Sequence, residues 1–219
     1  MTIDTENLLN SILESFGRIS YIKPRDIPNI DMYMDQVTTF MDSRLKPATR
    51  YPDADKILTK TMINNYAKNN LLPPPVKKKY SKDHVFLLIF IYYAKGILSI
   101  NDIQTLLNPL SKKYFDGNGS VDFQRIYTEV FQLEPEEIEK LQKDVADKFA
   151  IAKDTFSDVK DEKERDQLQI FSFITLLGID VYVKKLLIEK LLDGCFAEES
   201  EESKQDKKAE KKAERMEKR

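Results

Sequence analysis

Three consecutive prolines, Pro73-Pro74-Pro75, constrain this chain more than any other feature. Proline removes a backbone donor and clashes with the preceding turn, so no helix interior survives the triplet. A helix entering from Thr59 must end by about Asn69, and the next element must start afresh. Beyond the prolines lie a basic stretch, VKKKY, and then the longest apolar run of the chain, Val85 to Ala94. That run is about half of the roughly 20 residues that a membrane-spanning helix needs, so a soluble helix is expected. Only six glycines and no tryptophan among 219 residues favour long helices over a turn-rich β architecture. The expected fold class is all-α.

Apolar spacing and capping residues place the helices. The first is expected over Thr5–Phe16, with Leu8, Leu9, Ile12, Leu13 and Phe16 at helical spacing, and a second over Asp31–Leu45, presenting Met34, Val37, Phe40 and Met41. ATRYPDADK reads as a loop. Thr59 caps the next helix, which places Met62, Ile63 and Tyr66 on an apolar stripe. Ser81 with Asp83 opens the apolar helix, which Gly96 closes. Ser99 caps a short helix expected to stop at Asn108-Pro109, and 111–120 reads as a loop with two glycines. Further helices are expected over about 121–132, 136–156 and 165–192, the last with a break at Gly178. The end of the chain, 198–219, is almost all Glu, Lys, Ala and Arg with no core residues, and reads as disordered or as a solvated helix. Domains are therefore expected at 1–110, 120–196 and a charged tail at 197–219.

The formal net charge of −2 hides an asymmetry. Between Lys56 and Lys82 there are seven lysines and no acid. A basic patch on a slightly acidic protein is one form a DNA reader takes. The helix after Thr59 carries Lys60, Thr61, Asn64, Asn65 and Lys68. Asparagine makes paired hydrogen bonds to adenine in a major groove, while lysine and threonine hold phosphates or base edges. Lys77, Lys78 and Lys79 lying along the backbone would give salt-dependent affinity.

The order from Leu58 to Leu107 is a short capped helix, Leu-Leu-Pro, a basic segment ending in tyrosine, an apolar helix, Gly-x-x-Ser and a short helix. That order resembles the DNA-binding domain of the MerR class. The resemblance implies an N-terminal winged helix-turn-helix, with Thr59 on the capping position, Tyr66 in the second helix, Tyr80 closing the wing and Ser99 on the last cap. Asn64 and Asn65 stand where Arg-Tyr is usual, Ala67 replaces Glu, and Asn70 replaces a glycine whose left-handed conformation asparagine tolerates. The first helix of the motif would be the one over Asp31–Leu45, joined by a long turn. The wording IPNIDMYMDQV followed by LTKTMINNY and LLPPPVKKKY also resembles a bacterial family labelled domain of unknown function 1836, over roughly the first half of the chain.

Other signals point to no chemistry. YFDGNGSVDFQRI resembles a calcium-binding loop, but Tyr114 and Arg125 occupy its first and last ligand positions, where acids are needed. The single histidine, His84, has no second ligand for zinc and no nucleophile motif around it; packing or surface placement is expected. The single cysteine, Cys195, is expected to be a small buried hydrophobe and suits a reducing cytosol. The acidic N-terminus, MTIDTENLL, lacks the basic region of a signal peptide. No metal, cofactor or enzymatic role is expected.

Taken together, these residues lead to the expectation of a cytoplasmic, sequence-specific regulator. Its partners would be double-stranded DNA and a second copy, bound through the C-terminal helices, with no membrane contact. The alternative is a non-enzymatic protein-interaction module built on the same helix-turn-helix. The dimer follows from the segment 167–196, whose apolar residues surround the helix up to about Val183.

Overall fold

The computed structural model describes residues 5–16, 21–117 and 119–196. The charged tail lies outside them, as does Asn118 of the calcium-like loop. The described residues are mostly helical, as expected, with two short strands. None of their helices is long and apolar enough to cross a membrane. The chain divides into two compact units, one formed by 1–26 and 126–184, the other by 27–125 and 185–219.

The unit built on 27–125 begins with β1 (Met32–Tyr33) and α2 (Met34–Leu45), and α1 (Thr5–Phe16) belongs to the other unit. The helical pattern over 31–45 gives no hint of β1. It pairs antiparallel with β2 (Lys79–Tyr80), Met32 opposite Tyr80 and Tyr33 opposite Lys79. The Gln36 side chain then accepts the Tyr33 N–H at 2.8 Å and starts α2. Thr59 caps α3 (Lys60–Lys68), its hydroxyl accepting the Met62 N–H at 3.2 Å. α3 ends on a left-handed Asn70, with the Leu71 N–H reaching the Tyr66 carbonyl and the Asn70 N–H reaching that of Ala67. This double bond pattern, with Tyr66 and Leu71 both buried, is a Schellman end in which asparagine replaces the usual glycine.

α4 (Lys82–Ala94) is the centre of this unit, burying His84, Val85, Phe86, Leu87, Leu88, Ile89 and Ile91. Ile57, Leu58, Leu71 and Leu72 are also buried in this unit, as are Val37, Met41 and Leu45 of α2. Gly96 does not serve as a left-handed stop; Lys95 is the terminal residue, its backbone still in the right-handed helical region. Its ammonium donates to the Ile57 carbonyl at 2.6 Å and lies over the Tyr92 ring, and burial lowers its pKa. α5 (Ile100–Tyr114) opens on Ser99, which exchanges hydrogen bonds with Asp102. It does not stop at Pro109 but continues through it, so the expected loop begins only after Tyr114. One proline forfeits one ladder bond, while the apolar period Ile103, Leu107, Leu110 carries the helix on.

The second unit joins α1 to α7 (Glu134–Lys153) and the first part of α8 (Glu162–Cys195), with α6 (Phe123–Phe131) shared between the units. Its core is Val145, Phe149, Ala152 and Phe173, against which Leu9, Leu13 and Phe16 pack. α1 therefore belongs with the C-terminal helices and not with the 1–110 domain expected to contain it. An amphipathic stripe says that a helix must dock, but not on what. Gln169 caps the end of α7, donating to the Lys153 and Thr155 carbonyls at 2.7 and 3.0 Å. α8 runs through Gly178 without the expected break, and Cys195 is exposed where the sequence suggests burial.

Candidate nucleic-acid interface

α3 separates its side chains cleanly. Ile63 and Tyr66 are buried, while Lys60, Thr61, Asn64, Asn65 and Lys68 are all exposed. At about 100° per residue these five cover one continuous sector of the helix. They are the residues singled out from sequence, and α3 brings them together. Lys60 sits in the first turn, where the helix dipole disfavours a cation. Asp35, in the first turn of α2, forms an ion pair with it across the surface. α2 and α3 are thereby joined at their N-terminal ends as well as through their buried faces.

The basic segment after the prolines forms a tight turn. Val76 and Lys79 make an isolated antiparallel bridge, with the Lys79 N–H donating to the Val76 carbonyl at 2.9 Å. Between them Lys77 and Lys78 both have positive φ, 50° and 64°. Two successive left-handed residues define the type I′ turn, which glycine and asparagine ordinarily occupy. Here two lysines hold it, each at a cost of about 1 kcal/mol or more from the Cβ clash. Both are exposed, so their ammonium groups project from the tip.

Lys79 and Tyr80, also expected among the DNA-contacting residues, are less exposed than the two lysines of the tip. Lys79 is half-buried, its ammonium 5.3 Å from the centre of the Tyr33 ring across the β1–β2 pair. Tyr80 is buried, and burial raises its phenol pKa above the usual 10.0. Its ring meets the His84 imidazole edge-on at 5.3 Å, and Phe115 closes the other side at 4.7 Å. His84 Nδ1 accepts the Ser81 N–H at 3.0 Å, completing the cap of α4. Tyr80 and His84 thus anchor the basic turn from behind and cannot belong to the surface it presents. Asp122 of the calcium-like loop accepts the Arg125 N–H at 2.6 Å, which starts α6.

Tyr33, half exposed beside Lys79, is the one neighbour of the basic turn that sequence reasoning misses. It lies inside the expected helix 31–45, and only its strand pairing turns it towards the turn. Val76, at the base of the turn, is also exposed.

All of these elements fall within residues 22–130, which match the model of a family described as a domain of unknown function (DUF1836). This segment is a DUF1836 domain. The DUF1836 match takes in β1 to α5 and most of α6, and it ends before α7. No curated protein and no solved structure matches the chain.

Proposed function

We propose that the DUF1836 domain of this chain is a sequence-specific, non-enzymatic DNA-binding module of a cytoplasmic transcriptional regulator that acts as a homodimer. The observation that carries the proposal is the exposed sector of α3, where lysine, threonine and two asparagines stand together on a helix anchored by its opposite face. Such a helix fits a major groove, with Asn64 and Asn65 reading bases and Lys60 and Lys68 near phosphates. In the MerR-like arrangement, α2 and α3 form the helix pair, the turn at Lys77–Lys78 is the wing tip, and α4 and α5 come next. Residues 46–59 between α2 and α3 are far longer than the turn of about 3–4 residues usual in a helix-turn-helix. An exposed ion pair between Asp35 and Lys60 links the two helices across the surface.

Selection from randomised duplexes, followed by fluorescence anisotropy at several salt concentrations, tests the proposal. A selected site should bind about a thousandfold or more tighter than random DNA. Asn64→Ala or Asn65→Ala should erase about 1–3 kcal/mol of that preference and leave random-sequence binding unchanged. Absence of binding at low salt refutes the proposal. The second reading, a protein-interaction module, is favoured by the exposed apolar residues Tyr33 and Val76 beside the basic turn.

A further inference from the structure

α8 is apolar on two opposite faces, and only one of them is used within its unit. Phe173 is buried, with Leu176 and Leu177 packed beside it against Val145 and Phe149. On the other side Phe171, Ile174, Ile179, Val181 and Tyr182 remain between 55% and 66% exposed. At about 100° per residue, these five share one sector with Gly178 near its centre. The only charged residue from Gln167 to Val183 is Asp180. It lies on the inner side, accepting hydrogen bonds from Lys148 and Lys184, both at 3.2 Å. The exposed sector is therefore uncharged over three helical turns.

Among the described residues nothing accounts for Gly178. A glycine weakens a helix interior, and this one is neither in a turn nor at positive φ. A Cβ built on it would meet nothing within 4 Å. Its missing side chain leaves a notch in the middle of an exposed apolar surface. Such a notch allows the backbone of another helix to approach closely.

We infer that a second copy of this chain covers the sector, the two α8 helices crossing at Gly178. A two-fold interface uses the same patch on both partners, so notch meets notch and the flanking ridges fill each other's grooves. An uncharged patch suits such self-association, because no like charges are brought together. The five side chains leave roughly 600 Å² exposed, the upper end for a patch on a monomer. That approaches the ~800 Å² per partner of a stable complex. The charged tail beyond Phe196 is unsuited to the sector, since Met216 is its only large apolar residue. The inference rests on the homodimer of the proposed function, not on DNA binding, and names its seam.

Sedimentation equilibrium of the full chain at micromolar concentration, without DNA, tests it. The wild type should be a dimer, and Gly178→Leu should raise the dissociation constant about tenfold or more. Its helical circular dichroism should stay unchanged, because the added side chain points into open space. In a Cys195→Ser background, Thr175→Cys should oxidise to a covalent dimer, since Thr175 lies one turn from Gly178 on the same sector. This second variant decides the matter should Gly178→Leu unfold. A wild-type monomer, a Gly178→Leu dimer of wild-type strength, or a dimer that fails to cross-link overturns the inference. A cross-linking dimer that ignores DNA overturns only the DNA reading.

Discussion

Replacing Lys77-Lys78 by Asn-Gly should make the protein more stable and a poorer DNA binder at the same time. Both lysines sit at positive φ in a two-residue turn closed by the 2.9 Å bond from Lys79 to Val76. Each left-handed non-glycine residue costs about 1 kcal/mol or slightly more. Asn-Gly is the sequence most at home in a type I′ turn, so the double variant should gain about 2 kcal/mol. With a urea slope of about 2 kcal/mol per M, the unfolding midpoint of this unit should rise by about 1 M. The same change removes two cations from the tip. If each contacts a phosphate, the slope of log affinity against log salt flattens by about 1.8, and affinity at 0.15 M salt falls roughly thirtyfold. Urea unfolding followed by circular dichroism and anisotropy titrations across salt concentrations measure the two effects separately. An unmoved midpoint refutes the strain argument. A raised midpoint with an unchanged salt slope shows that the tip does not touch DNA.

Two further outcomes are tied to particular residues. Asn70→Ala should cost about 1 kcal/mol, because alanine has no side-chain compensation for the left-handed end of α3, whereas Asn70→Gly should cost nothing; urea midpoints of both variants check this. Hydrogen bonds from Lys148 and then Lys184 hold the Asp180 carboxyl below its usual 3.8. A depressed carboxyl contributes stability at pH above 3.8 and loses it as pH falls through the folded value. Stability of the α7–α8 unit should therefore drop on acidification below about pH 4, and Asp180→Asn should be less stable at neutral pH and flatter over that acid range in urea titrations.

Where side-chain chemistry acts locally, the sequence is a sufficient guide. Thr59, Ser81 and Ser99 start the helices they are expected to start, and Asn70 adopts the conformation that asparagine tolerates. The exposed sector of α3 results from burying Ile63 and Tyr66 at helical spacing. The features that escape depend on contacts distant in the chain. β1 is two residues long and exists because Met32 and Tyr33 find Tyr80 and Lys79, so nothing local separates it from α2. Tyr80 closes the basic segment as expected, but its burial between β1 and His84 depends on the same pairing. Pro109 looks like a stop because the cost of a proline is local, whereas the packing that carries α5 past it is not. The positive φ at Lys77 and Lys78 has no signature at all, since lysine gives no hint of a left-handed turn.

Two of the places where the described residues break local rules also offer a surface. Lysines occupy a turn that favours Asn-Gly, and a glycine occupies a helix interior that favours alanine. Neither choice is offset among the described residues: the lysines are exposed to solvent, and the glycine faces open space. Some other unfavourable features have compensations within the fold. Lys60 at the wrong end of a dipole has Asp35, and buried His84 has Ser81 and two aromatic edges. Sequences that fold well agree with their structures at every level, and uncompensated exceptions concentrate where function demands them. By that logic the cost at Lys77–Lys78 and at Gly178 is recovered outside the monomer. A polyanion suits the first, where only positive charge is gained. A second helix suits the second, where only close approach is gained.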